Sequence, residues 1–169
     1  MKKYIALAIL FITSLGFSQT VKYTGNAQEL FPYVGTWRWT SGNQTFEFTF
    51  NSPLQETDTW NNITTHYTSI RGFHKYIVNN VIIENPQNTS RVLTILSFGE
   101  DENKGLSIFY YDISKNKSGD AFLKFLPNST TQAVWTLNES EGIKEIPIGT
   151  VYPLGWSVPT GPITMTKVN

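Results

Sequence analysis

The chain has 169 residues and no cysteine, and its 13 lysine and arginine residues balance 13 aspartate and glutamate residues. This length favours one domain with its own hydrophobic core. The lack of cysteine excludes disulfides, thiolate catalysis, thiolate metal sites and a lipid anchor on cysteine, and the lack of a basic surplus or stripe argues against nucleic acid as a partner.

Residues 1–18 have the pattern of a secretory signal peptide. Two lysines precede an apolar run that reaches Phe17, shorter than the ~20 residues that a bilayer span needs, and small residues stand where signal peptidase reads the chain. We expect cleavage between Ser18 and Gln19, which leaves a domain over 19–169 with a charge of about −2. The pattern predicts export to the periplasm or the medium, a soluble product and no membrane insertion.

A short helix is the first element predicted in the mature chain. Asn26 can cap it, and Glu29 stands three residues later, as in a capping box. Pro32 ends the helix after Phe31, so the helix leads directly into a first strand near 33–40.

A hairpin follows, because a two-residue Gly42-Asn43 turn joins the first strand to a second strand near 45–50. The turn pairs Ser41 with Gln44, which sets aromatic residues opposite each other on one face and polar residues opposite each other on the other face. The predicted pairs are Trp39 with Phe46, Trp37 with Phe48, Arg38 with Glu47 and Thr36 with Thr49.

A second hairpin is predicted around Asn79-Asn80, since both residues tolerate the positive φ of a type I′ turn. The predicted pairs are Ile77 with Ile82, Tyr76 with Ile83 and Lys75 with Glu84. Consecutive hairpins of this kind indicate an antiparallel meander.

The remaining chain also reads as short strands with period-2 patterning. A polar segment over 51–62 and a proline-rich segment over 139–162 are predicted to be irregular. An open sheet of so many short strands would leave edge strands with unpaired backbone groups, and closure into a barrel pairs them. This favours an all-β fold: a single antiparallel meander barrel of about 8–10 strands. The further strands are predicted near 64–78, either as one strand or as two that separate at Gly72, and near 81–84, 91–98, 106–113, 120–126, 132–138 and 163–168.

The segment from Asn26 to Trp39, in which a short helix leads into Gly35-Thr36-Trp37, resembles the start of a lipocalin. There a Gly-x-Trp motif lies at the closed end of an eight-stranded barrel. The whole mature chain, to its terminal Ile163–Val168, is similar to small secreted lipocalin-like proteins of Bacteroidota, a group of unknown function. The resemblance implies a structural role for Gly35 and Trp37. Lipocalins place an arginine late in the barrel over this tryptophan; the nearest candidate here is Lys167, which lacks the planar guanidinium.

Signatures of catalysis and metal binding are weak. The segment Gly155-Trp156-Ser157-Val158-Pro159 departs from a nucleophile elbow at its last position, and no histidine follows it. His66 and His74 would lie ~26 Å apart on an extended strand, too far to share an ion. The acidic loop over 99–105 lacks the spacing of calcium ligands that defines an EF-hand. We therefore predict no catalytic residue, no metal ligand and no cofactor, although a carboxylate-based hydrolase stays open.

Aromatic side chains are abundant in the sequence and are the most prominent candidates for ligand binding. A barrel of about eight strands either fills its interior or keeps a cavity for one small ligand. We predict a non-enzymatic monomer whose barrel either binds a small apolar molecule or is filled by its own side chains. The alternative is a protein- or glycan-interaction or inhibitor module that docks through exposed aromatics and the 139–162 loop. The candidate ligand-binding residues are Trp39, Phe48, Tyr76, Tyr110 and Trp135.

Overall fold

The structure, a computed structural model, describes residues 20–61, 63–85, 95–101, 105–139 and 154–168. The predicted signal peptide lies outside these residues, and so do residues 91–94 of a predicted strand and residues 140–153 of the proline-rich segment. In the described part, the elements are β1 (Thr20–Thr24), α1 (Ala27–Leu30), a 3-10 helix (Phe31–Tyr33), β2 (Gly35–Ser41), β3 (Gln44–Phe50), β4 (Leu54–Trp60), β5 (Ile63–Val78), β6 (Val81–Glu84), β7 (Ile95–Asp101), β8 (Gly105–Asp112), β9 (Lys117–Phe125), β10 (Gln132–Glu139) and β11 (Ile163–Val168).

The strands form one mostly antiparallel sheet in the order β1-β5-β3-β2-β11-β10-β9-β8-β7. β4 and β6 also pair with β5, and β1 pairs with β5 in parallel. The last strand of this order also returns to β5, because β7 pairs with it from Ile70–Ser97 to Gly72–Ile95. These pairings confirm the predicted fold class, a β protein with mostly antiparallel strands.

The helix before β2 is confirmed, with a modified cap. The Asn26 side chain accepts a hydrogen bond of 2.9 Å from the Gln28 amide. Glu29 accepts from the side-chain amide of Asn26 at 3.4 Å, so the reciprocal bond reaches the cap side chain. Pro32 lies in the 3-10 helix that continues α1 to Tyr33, so the helical conformation extends two residues beyond the predicted end at Phe31.

The register of the first hairpin is confirmed at every predicted pair, from Thr36–Thr49 to Ser41–Gln44. Gly42 has φ +57° at the first central position of the turn, where a primed turn needs a residue that tolerates positive φ. The aromatic face is buried, and on the other face Arg38 Nη2 lies 2.6 Å from Glu47 Oε2.

The predicted register of the second hairpin is confirmed at Ile77–Ile82 and is wrong for the pairs beyond it. Asn79 and Asn80 both have positive φ, as predicted, but a β-bulge sets Tyr76 opposite Glu84. The extra residue, Ile83, moves Glu84 to the opposite face of the strand. Glu84 is consequently 2% exposed, and it lies inside the protein instead of facing solvent opposite Lys75.

The structure corrects the predicted irregular segment over 51–62 and settles whether β5 breaks at Gly72. Residues 51–62 contain β4, which pairs with β5 from Leu54–Ser69 to Trp60–Ile63. β5 also continues through Gly72 without a break. A Cβ at Gly72 would overlap the backbone of Thr49, so glycine permits the close approach of β3 at the point where β5 changes partner from β4 to β3.

One face of the sheet carries the core. Alternate residues of β3, β8, β9 and β10 point to it, as strand geometry requires, and α1 with the 3-10 helix adds Leu30 and Tyr33 at one end. The largest fully buried side chains are Trp37, Trp135, Tyr33, Tyr110, Phe46, Phe48 and Phe50.

Candidate functional site

The five predicted ligand-binding residues lie on the same side of the sheet. Phe48, Tyr110 and Trp135 are at most 1% exposed, Tyr76 is 9% exposed, and Trp39 packs against this core while partly buried. Ring centroids lie 5.2 Å apart for Phe48 and Trp135, and 5.9 Å apart for Tyr110 and Trp135. These side chains fill the space with one another, at separations typical of aromatic packing. Their role in ligand binding stays a prediction.

The three residues of the structural motif also come together. Trp37 is fully buried, and its Nε1 donates to the Tyr33 carbonyl at 2.8 Å. Lys167 pairs with Trp37 across β2 and β11, and its ammonium lies 5.7 Å from the centroid of the indole. Burial lowers the pKa of Lys167, and its Nζ donates to the Pro32 carbonyl at 2.8 Å. Lysine thus places a cation over the tryptophan without a guanidinium stack.

Gly35 fits this arrangement for two reasons. Its φ is +114°, a region that side chains rarely adopt. A Cβ at this position would also lie 3.1 Å from Lys167 Cε. Glycine therefore leaves room for the lysine stem that crosses from β11 towards the 3-10 helix.

A pocket of about 530 Å³ lies on the outward face of β9 and β10. The two strands pair Phe122 with Thr136 and Lys124 with Val134, and these side chains alternate with the buried residues of the core. The turn after β9 adds further apolar wall. The lining residues are Phe122, Lys124, Phe125, Leu126, Pro127, Val134, Thr136 and Asn138. The sequence analysis did not select this pocket, although the outward Phe122 and Val134 were readable from strand alternation.

A second feature is a buried polar cluster on the core side, formed by His74, Glu84, Tyr110, Asp112 and Ser157; we call it the Ser157 cluster. Ser157 comes from the irregular segment 154–162. Its amide donates to Asp112 Oδ2 at 2.7 Å. Its hydroxyl contacts Asp112 Oδ1 and also lies 3.0 Å from Glu84 Oε1, so two carboxylates share one hydroxyl hydrogen.

His74 occupies the inner side of the Ser157 cluster. Its Nε2 lies 3.0 Å from the Tyr110 hydroxyl and 3.5 Å from Glu84 Oε2, while Nδ1 is buried without a hydrogen-bond partner. His74 therefore presents Nε2, and not Nδ1, to the polar groups of the Ser157 cluster.

The carboxylate of Glu84 is stabilised in its charged form. Burial raises the pKa of Glu84, but hydrogen bonds from His74 and Ser114 lower it by more, so that the resulting pKa is about 2. The Ser114 amide donates to Glu84 Oε1 at 2.7 Å. The pKa of Tyr110 is raised well above its ordinary value by burial and by the charges of Asp112 and Glu84, so this phenol stays neutral.

Trp156, beside Ser157, covers the same end of the core. Its ring lies 5.9 Å from that of Tyr110, and Lys117 Nζ lies 4.0 Å from its centroid. A Cβ at Gly119 would overlap the indole, so this glycine makes space for Trp156. Lys117 also donates to Glu139 at 2.5 Å.

The structure places Ser157 and His74 in one cluster and His66 elsewhere on β5. The Ser157 hydroxyl contacts carboxylates, whereas a nucleophile elbow would offer it to a histidine. The His66 Nδ1 lies 2.9 Å from the Thr57 hydroxyl, and His74 belongs to the Ser157 cluster. Within the described residues, no group of three or more potential ligands is placed to hold a metal ion. Residues 102–104 of the acidic loop lie outside them.

The fold and these features define a mostly antiparallel β-sheet protein with an aromatic core and an outward apolar pocket. The chain belongs to a family of unknown function, DUF6705, whose model matches residues 1–168. No curated protein and no solved structure matches it significantly. Among the helices of the described residues, none is long and apolar enough to cross a membrane.

Proposed function

We propose that this protein is an exported, non-enzymatic binding protein that holds a small, largely apolar molecule in the pocket on the outward face of β9 and β10. The supporting observation is the pocket itself. Its volume of about 530 Å³ falls within the range of small-molecule sites, which are mostly apolar with a few polar groups. Apolar residues such as Phe122 and Val134 form its wall. Its polar groups are Lys124, Thr136 and Asn138.

The outward pocket is a better candidate than the predicted interior cavity. Phe48, Tyr110 and Trp135 are closed off by their own ring contacts, and a ligand there would have to displace packed side chains. Removing such contacts costs free energy because protein cores are close to crystal density. A ligand on the outward face needs no such displacement.

We further propose that the strands close into a lipocalin-like barrel. The pairing of β5 with both β3 and β7 supports this proposal, since the ladder that leaves β5 through β3 returns to it through β7. The packing of Trp37 beneath Lys167 is similar to the closed end of a lipocalin. In this arrangement the outward pocket lies on the wall of the barrel, whereas lipocalins bind inside theirs.

The proposal is tested by titration with Nile red, a neutral dye whose emission rises in apolar sites, and by its displacement with fatty acids, retinoids, haem and quinones. Val134→Asp places a charge in the wall of the pocket and should weaken dye binding at least about tenfold, because a charge is costly beside apolar surface. The matched control is Ile77→Asp, since Ile77 is also half-buried but lines a more polar pocket of about 370 Å³ on β2, β3 and β5. It should change binding less than about twofold.

Three outcomes would overturn the proposal: equal weakening in both variants, no dye binding to the folded wild-type protein, or no displacement by any of the four ligand classes. Circular dichroism of each variant confirms that a loss of binding is not a loss of folding.

The alternative function, an interaction module, rests on Trp60. This side chain is 73% exposed at the end of β4, and exposed tryptophan is characteristic of binding hot spots. Capture of a specific protein or glycan from the cell envelope by the wild type but not by Trp60→Ala, together with the absence of Nile red binding, would favour this function over the first.

A further inference from the structure

The outward pocket on β9 and β10 combines an apolar wall with a single positive charge. Among the described residues that line it, Lys124 is the one charged side chain, and none is a carboxylate. Lys124 is exposed, whereas Phe122 and Val134 beside it are half-buried. A lysine can lay its methylene stem along an apolar surface and keep its ammonium group in water. The positive charge therefore belongs at the opening of the pocket, above the apolar wall.

The register of the sheet places this charge at one end of the pocket. β9 and β10 pair from Lys124–Val134 at that end to Asp120–Asn138 at the other. A strand rises about 3.3 Å per residue, so Val134 and Asn138 lie ~13 Å apart along β10. Asp120 does not line the pocket, but it alternates with buried residues of β9 and therefore faces outward beside Asn138. The pocket thus has a cation at one end and a carboxylate just beyond the other.

We infer that the ligand of the outward pocket is a monocarboxylate with an apolar chain, bound with its carboxylate at Lys124 and its chain along Phe122 towards Asn138. This inference rests on the proposed function, since it assigns a class of ligand to the same pocket. An anion gains an opposite charge at Lys124, whereas at the other end it would meet the like charge of Asp120. Charge complementarity therefore determines both the sign of the head group and its orientation.

A carboxylate suits a single lysine better than other anionic head groups. It carries one negative charge at neutral pH, whereas a phosphate monoester carries about −1.5 to −2 charges, of which one lysine would leave a part uncompensated. Because the ammonium of Lys124 is exposed, a carboxylate beside it also keeps contact with water, and no buried ion pair has to be desolvated. The apolar chain then contributes most of the affinity, and the lysine selects the charge of the ligand.

The test compares three ligands with the same chain, dodecanoate, dodecanol and dodecyltrimethylammonium. Each displaces Nile red at neutral pH and low salt, below the concentration at which it forms micelles. The wild type should bind dodecanoate at least about threefold more tightly than dodecyltrimethylammonium, the range expected for exposed charges. Added salt should reduce this preference, because salt screens exposed charges.

Lys124→Glu reverses the charge at the pocket and should reverse the preference. Dodecanoate should bind at least about threefold more weakly and dodecyltrimethylammonium more tightly, while the affinity for dodecanol changes less than about twofold. The matched control is Lys75→Glu, which makes the same change in net charge in the more polar pocket on β2, β3 and β5. It should leave all three affinities within about twofold of the wild type, because a distant exposed charge is screened.

A further variant keeps the test decisive if Lys124→Glu loses Nile red binding. Lys124→Met removes the charge but keeps an unbranched side chain, and it should abolish the preference without reversing it. Three results would overturn the inference and leave the proposed function standing, provided that the wild type binds Nile red: no displacement by dodecanoate, no preference for it over dodecyltrimethylammonium, or the same preference in Lys124→Met. The absence of Nile red binding to the folded wild type would overturn both.

Discussion

Replacing Trp37 with alanine tests how β2 is held against the 3-10 helix and β11. Trp37 is fully buried, and it joins β2 to the 3-10 helix through its bond to the Tyr33 carbonyl. Its ring also packs 5.7 Å from that of Phe125 and beneath the ammonium of Lys167. Trp37→Ala removes the indole, leaves a cavity and deletes the hydrogen bond that Nε1 donates to the Tyr33 carbonyl. Core tryptophan-to-alanine changes cost about 3–5 kcal/mol, and we expect that loss in the free energy of unfolding.

The assay is urea denaturation followed by circular dichroism, with the unfolding free energy taken from the midpoint and slope. Trp60→Ala is the matched control because it deletes the same side chain from a site that is 73% exposed; it should cost less than about 0.5 kcal/mol. Arg38→Ala should cost less than about 1 kcal/mol, since its partner Glu47 is solvent-facing. Equal losses for Trp37→Ala and Trp60→Ala would refute the assigned facing of β2.

Three more predictions concern the backbone, the carboxylate and export. Gly72→Ala should lower the melting temperature clearly, because its Cβ would overlap the backbone of Thr49; melting that matches the wild type would contradict the close approach of β3 and β5. The unfolding free energy of the wild type should fall between pH 4.5 and pH 2 as Glu84 is protonated. In Glu84→Gln the unfolding free energy should depend less on pH over this range. If the unfolding free energies of the two proteins change in parallel with pH, Glu84 does not contribute. Intact mass of the secreted form should correspond to a chain that begins at Gln19, and a retained segment 1–18 or an added lipid would contradict the signal peptide.

The first hairpin could be predicted in full because local chemistry determines it. The Gly42-Asn43 turn sets the pairing, and a slip by one residue would place aromatic residues of β2 opposite polar residues of β3. Composition and alternation likewise predicted the class of fold, and the predicted register placed Trp37 on the aromatic face, which is buried.

The second hairpin shows what local rules omit. The same logic applied to Asn79-Asn80 gives a regular ladder, but the bulge at Ile83 turns Glu84 inward. The bulge brings Glu84 into contact with His74, Ser114 and Ser157. Contacts between segments so distant in sequence have no local signature.

β4 escaped prediction for a related reason. Its sequence, Leu54–Trp60, is polar on both faces, and β4 is consequently exposed over most of its length. It is a strand because β5 extends beyond β3 and offers it a ladder, so its partner, more than its own hydrophobic pattern, determines its structure.

The central claim is that a small apolar molecule binds on the outward face of β9 and β10, and methyl NMR during titration with Nile red tests it most directly. The two faces carry separate reporters: Val134 and Leu126 line the pocket, whereas Leu123, Leu137 and Met165 are buried on the core side. The account predicts saturable shifts of the Val134 and Leu126 methyl signals with small changes in the other three. Shifts concentrated at Leu123, Leu137 and Met165, or no saturable shift at all, would contradict it.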